Sequence, residues 1–225
     1  MKKICLASLA MAAMLAIGCN RTNNAASKND TAGTSGRAET NVSSADRDFV
    51  SDVSKANAAE IDLSRLAAER SSSPDVKRFA QMMVDDHTAA GDKLSGVAVQ
   101  TSIEAQAVPD DAHQKVHEKL AGRHGLDFDK DYIDAMVDDH EKFVNTLESR
   151  VDKTTLSKWK DDVKNPVTGT EAKIDVKTQS ILPEKSDDPI TQRINAWAAD
   201  TYPAAYAHLQ NAKALKDMLK KRSAD

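Results

Sequence analysis

Four polar residues stand where the sequence otherwise places apolar ones. Glu60, His87, His140 and His208 each interrupt a stripe of apolar residues spaced alternately three and four apart. An unpaired carboxylate or imidazole in an apolar interior costs several kcal/mol, so groups in these positions need partners. Two arrangements supply them. One is a buried Glu–His hydrogen-bond network that fixes helix register. The other is a metal centre, since three imidazoles and a carboxylate suit Zn, Fe or Cu. A di-iron centre of the Glu-x-x-His type is disfavoured, because Val84, Val137 and Ala205 stand three residues before the histidines. Asp86 and Asp139 directly precede two of the histidines and so point about 100° away along a helix. They are expected on solvated faces or against lysines.

The stripes themselves define the elements that must position these groups. Helix A carries Phe49, Val53, Ala56, Glu60, Leu63 and Ala67; helix B carries Val76, Ala80, Met83, His87, Ala90, Leu94 and Val97. Helix C carries Ile133, Val137, His140, Val144, Leu147 and Val151. Helix D carries Ile190, Ile194, Trp197, Thr201, Ala204 and His208, then Ala212, Leu215 and Leu219. This spacing is that of amphipathic helices. Ser71-Ser72-Ser73-Pro74 is a short break, so A and B are expected as antiparallel neighbours with Glu60 facing His87 at mid-height. The words Met83–His87 and Met136–His140 are identical, which places one constellation on two helices. Pro203, inside helix D, removes an amide and is expected to curve the helix.

Between B and C, Pro109-Asp110 can open a short helix bearing Val116 and Leu120, with Gly122 and Gly125 able to end it. His113 and His117 on it form either a surface metal pair or two solvated side chains, the second being the expected case. His124 reads as a cap or turn residue. Between C and D, residues 152–188 form an irregular insertion. Leu156, Trp159 and Val163 could share a short helix there, and 173–182 a strand pair or a loop. The fold class expected is an all-α antiparallel four-helix bundle, with a short extra helix between B and C and this insertion between C and D.

The termini and composition bear on location. Lys2 and Lys3 precede an apolar run, Ile4 to Ile17, too short to span a bilayer at about 20 residues but fitting an export signal. Leu15-Ala16-Ile17-Gly18-Cys19 resembles a bacterial lipoprotein signal, in which Cys19 becomes the lipidated first residue. Asn20 after it implies, by the same resemblance, the outer membrane. Residues 1–18 are thus read as signal peptide. Residues 19–46, poor in large apolar side chains, read as a flexible tether, and 47–222 as the bundle. The chain has two cysteines, Cys5 and Cys19, so the folded domain would carry no thiol chemistry. A formal net charge of −4 argues against a nucleic-acid partner. No phosphate loop, nucleophile elbow, dinucleotide fingerprint or His-Glu-x-x-His is present in the sequence.

Several words together resemble the bacterial family called domain of unknown function 4142, predicted outer membrane proteins. They are Phe49-Val50, Ala59-Glu60 and Leu63; Val76 to Met83 with Asp86-His87; Asp127 to Tyr132 with Met136 to Lys142; and Pro203, His208 and Ala212 to Leu215. The resemblance covers about residues 47–151 and 189–219. It implies a ferritin-like four-helix bundle in an exported protein, with the family's polar seam positions at Glu60, His87, His140 and His208. The 152–188 segment is longer than the family's usual connection. The expectation that follows is a non-enzymatic lipoprotein, anchored to the membrane through Cys19, that presents its bundle to the periplasm in an envelope stress, binding or scaffolding role. The alternative is a metal-binding or redox bundle built on the four seam residues. A third reading makes the region around Trp159 a docking site for a protein partner. Sequence leaves the oligomeric state open.

Overall fold

A computed structural model describes residues 42–163 and 180–223. The signal, Cys19 and most of the tether therefore lie outside the described residues, as do Pro166 and Gly169. Six helices follow in order: α1 (Ser44–Arg70), α2 (Pro74–Thr101), α3 (Asp111–Ala121), α4 (Gly125–Glu148), α5 (Lys153–Val163) and α6 (Pro189–Lys221). The four expected long helices are α1, α2, α4 and α6. Among the described residues no helix is long and apolar enough to cross a membrane.

Local chemistry accounts for the boundaries. Ser73-Pro74 and Asp188-Pro189 place proline in the first helical turn, where its missing amide costs nothing. The Asp110 side chain accepts from the His113 amide at 2.9 Å and caps α3. Gly122 ends α3, while Gly125 opens α4 at φ +57°, a conformation that favours glycine. Pro203 sits within α6 without dividing it.

Cross-helix contacts give the topology. Glu60 meets His87 and His140, and Ser64 bonds Tyr132 at 2.9 Å, so α1 runs antiparallel to α2 and to α4. The pairs Glu141–Lys213 and Asp134–Lys216 set α6 antiparallel to α4. Trp197 donates to the Ala90 carbonyl at one level and Arg222 reaches Ser73 at another, so α6 is also antiparallel to α2. It follows that α2 and α4 are parallel. The segment from Ser102 to His124, including α3, must travel the length of the bundle beside α1. One long crossover of this kind is the connectivity of ferritin-like bundles.

The core is filled by Leu63, Met83, Leu94, Ile133, Met136, Leu147, Ile194 and Leu219, all essentially inaccessible, with Phe128, Tyr132 and Tyr202. Burying each Leu or Ile contributes about 1.5–3 kcal/mol. At the end where α1 starts, the helix begins at Ser44 and Val42 is already in the core, so the ordered domain starts earlier than residue 47. Asp46, 1% exposed, explains why: it accepts from Ser43 Oγ, Thr191 Oγ1 (both 2.7 Å) and Arg150 (2.5 Å), tying α1 to α4 and α6. The polar look of residues 42–46 concealed this latch.

The C–D connection contains α5. Trp159 is 2% exposed and packs edge-on against Tyr202 and Tyr206. Its indole holds α5 to α6, so Trp159 cannot serve as an exposed docking residue. Of the expected strand pair, the described residues show a single bridge, Val151 to Pro183; residues 173–179 lie outside them.

Candidate metal centre

The bundle brings Glu60, His87, His140 and His208 together from four helices at one level. All four are buried, between 0% and 4% exposed. The three imidazoles form a nearly equilateral triangle, with ring centroids 5.4, 5.4 and 5.5 Å apart. One nitrogen of each ring lies within 4.8 Å of one nitrogen of each other ring. Phe143 closes against His87 and His140 with centroids 6.2 and 6.4 Å away.

The outer nitrogen of each ring faces an acceptor. His87 Nδ1 is 2.9 Å from Glu60 Oε2 and 3.1 Å from Asn57 Oδ1. His140 Nδ1 is 3.1 Å from the Met136 carbonyl oxygen and 3.4 Å from Glu60 Oε1. His208 Nε2 is 2.8 Å from Asp86 Oδ2. An acceptor facing a ring nitrogen requires that nitrogen to carry the proton, so in a neutral ring the other nitrogen carries a lone pair. His140 Nε2 and His208 Nδ1 are buried with no hydrogen-bond partner, and so is Glu60 Oε1, whose approach to His140 is not aligned as a hydrogen bond. The layer therefore holds acceptors in surplus. A cation satisfies such a set, and carboxylates or carbonyls behind the rings are the usual device that orients histidine ligands.

Charge points the same way. Burial opposes ionisation of Glu60, but the His140 and His87 rings beside it outweigh that and hold its carboxyl at about 2. Burial pushes His140 down to about 4, against the pull of Glu60, with His87 and His208 adding to the depression. The rings attract the Glu60 carboxylate as cations, so either a protonated ring or a bound ion can offset its charge out of water. Ions with nitrogen bonds of about 2.0–2.1 Å need their ligands closer than 4.8 Å, so binding would draw the rings inward.

The four seam residues thus divide by role. The imidazoles are the group that can hold an ion; Glu60 lies behind His87 as its acceptor and beside His140. Asp86 lies on an exposed face, as expected, and adds a contact the sequence did not show. It meets no lysine but takes the His208 ring, because α6 presents that histidine to the α2 side. Asn57 was missed altogether, though Gly91 signals it: a Cβ there would lie 2.7 Å from Asn57 Nδ2. Asp139, also expected on a solvated or lysine-paired face, is 3.6 Å from His113 Nε2 and 3.3 Å from Lys142. His113 and His117 pair with carboxylates, Asp110 at 2.7 Å and Asp62 at 3.0 Å, so neither is simply solvated.

A family model described as "Domain of unknown function (DUF4142)" matches residues 31–181, which include Glu60, His87 and His140 and stop before α6 and His208. No curated protein and no solved structure matches the chain.

Proposed function

The chain belongs to the DUF4142 family, and from that premise we propose that its bundle binds one divalent transition-metal ion through His87, His140 and His208. The observation that carries this is the hydrogen-bond arithmetic of the layer. Each ring has one nitrogen facing an acceptor, and His140 Nε2, His208 Nδ1 and Glu60 Oε1 are buried with no donor to meet them. A water molecule has only two protons to offer. Three imidazoles without a thiolate suit Zn²⁺ and Cu²⁺, with Fe²⁺ the next choice. Glu60 orients His87 and compensates the ion's charge, Asn57 shares the His87 proton, the Met136 carbonyl orients His140, and Asp86 orients His208. The ion would supply positive charge at mid-bundle and a cross-link between α2, α4 and α6. The role proposed is ion binding.

We also propose that the domain lies outside the inner membrane. The Leu15–Cys19 pattern supports a lipid anchor at Cys19 on an outer-membrane lipoprotein, with the bundle in the periplasm. The test uses the lipidated chain, from Cys19 onward, extracted from membranes in mild detergent. Elemental analysis is expected to find about one equivalent of Zn or Cu, lost in His87→Ala and His140→Ala. A chain that carries no metal and takes up none from added Zn²⁺ or Cu²⁺ would reject the reading.

A further inference from the structure

The three imidazoles enclose the centre of the layer, so an ion can reach it only if one ring moves aside. The rings are not held alike. His87 is held by Glu60 and Asn57, and His140, fully inaccessible, by the Met136 carbonyl with Glu60 beside it. His208 is held by Asp86 alone, and the Asp86 side chain is 50% exposed. Water can therefore compete for the one contact that retains His208.

The seam beside that contact is open. A groove of about 400 Å³ runs between α2 and α6, lined by Phe79, Met82, Asn211 and Leu215 among others. Met82 lies one turn before Asp86 on α2, and Asn211 lies about one turn after His208 on α6. The groove lies in the same seam as the Asp86–His208 pair and ends about one turn short of it, at Met82 and Asn211. Farther along, the two helices close again where Trp197 bonds the Ala90 carbonyl at 3.3 Å.

Resting on the metal reading above, we propose that His208 is the ligand that swings, that Asp86 is its latch, and that divalent ions enter and leave the layer through the α2/α6 groove. The centre is then an exchanging site, able to load from solution and yield its ion to a competing chelator without unfolding of the bundle.

Stopped-flow uptake of Zn²⁺, and its release to excess chelator, test this on the detergent-extracted chain. Asp86→Ala is expected to speed release on the order of 10–100-fold and to speed uptake as well. Asp62→Ala, on the exposed face of α1 and outside the layer, is expected to leave uptake unchanged. Asn211→Trp, which obstructs the groove, should slow uptake and release by a common factor and leave the equilibrium affinity as it was. Faster release from Asp86→Ala with unchanged uptake would make Asp86 an orienting group only and overturn the latch. Unchanged rates in Asn211→Trp would overturn the route. Circular dichroism confirms that each variant is folded. A wild-type chain that takes up no Zn²⁺ removes the metal reading and this inference with it, whereas normal wild-type binding with rates insensitive to these variants removes this inference alone.

Discussion

Two groups of histidines in this protein receive opposite treatment. In the mid-bundle layer, the outer nitrogens of His87, His140 and His208 meet acceptors, and the inner nitrogens of His140 and His208 have no partner at all. At the rim, His113 has a carboxylate on each nitrogen, Asp110 at 2.7 Å and Asp139 at 3.6 Å. The hydrogen bond to Asp139, opposed by partial burial and aided by Asp110, raises His113 to about 9. Burial takes His140 the other way, to about 4. An imidazole with two acceptors and some water becomes a cation. One with a single acceptor and no water stays neutral and keeps a lone pair. The number of acceptors and the access of water, not the residue type, separate a salt-bridging histidine from a ligand.

The largest expected effect breaks the contrast outright. His87→Ala or His140→Ala should abolish stoichiometric metal, read by elemental analysis, while His113→Ala leaves it in place. The second effect is on stability. In the metal-free chain His140 has a folded pKa below its ordinary value of 6.5, so the unfolded state binds the proton more readily. Stability is then full above about pH 6.5 and declines as pH falls towards 4, by about 3 kcal/mol. Urea titrations across that window should show the decline, and His140→Ala should flatten it. Glu60→Gln comes third: it keeps the shape but removes the charge behind His87 and beside His140. Metal affinity by competition titration should fall roughly 10–100-fold. The smallest effect has the opposite pH sense. His113 is raised in the folded state, so its contribution is complete below pH 6.5 and is lost as pH rises through about 9. With water screening the pair this is worth less than about 1 kcal/mol. Protection factors of the α3 amides, corrected for intrinsic exchange at each pH, should fall over that range in wild type and not in His113→Ala.

Much of this was legible without coordinates. The three-and-four spacing located all four long helices, and Ser71 to Pro74 implied that Glu60 and His87 would face each other, as they do at 2.9 Å. Other features escaped for identifiable reasons. The latch at Asp46 lies in a stretch without large apolar residues, and its partners, Arg150 and Thr191, are 104 and 145 residues away. Asp86 is a neighbour of His87 in sequence and points off its face, so its service to His208 on another helix had no local signal. Asn57 is one turn from Glu60, yet only the absence of a side chain at Gly91 leaves room for it. That Trp159 packs on Tyr202 and Tyr206 in particular had no local signal, because both rings lie beyond the insertion.

Periodicity and punctuation are local properties, carried by neighbours within a turn or two, and they were enough to specify an all-α bundle with one Glu and three His on its seams. The protonation and purpose of those histidines are not local. They depend on which acceptor from which other helix stands behind each ring and on whether water reaches it. Packing alone places Glu60 behind His87 and beside His140, sets Asp86 behind His208, and leaves His140 Nε2 and His208 Nδ1 buried without a hydrogen-bond partner.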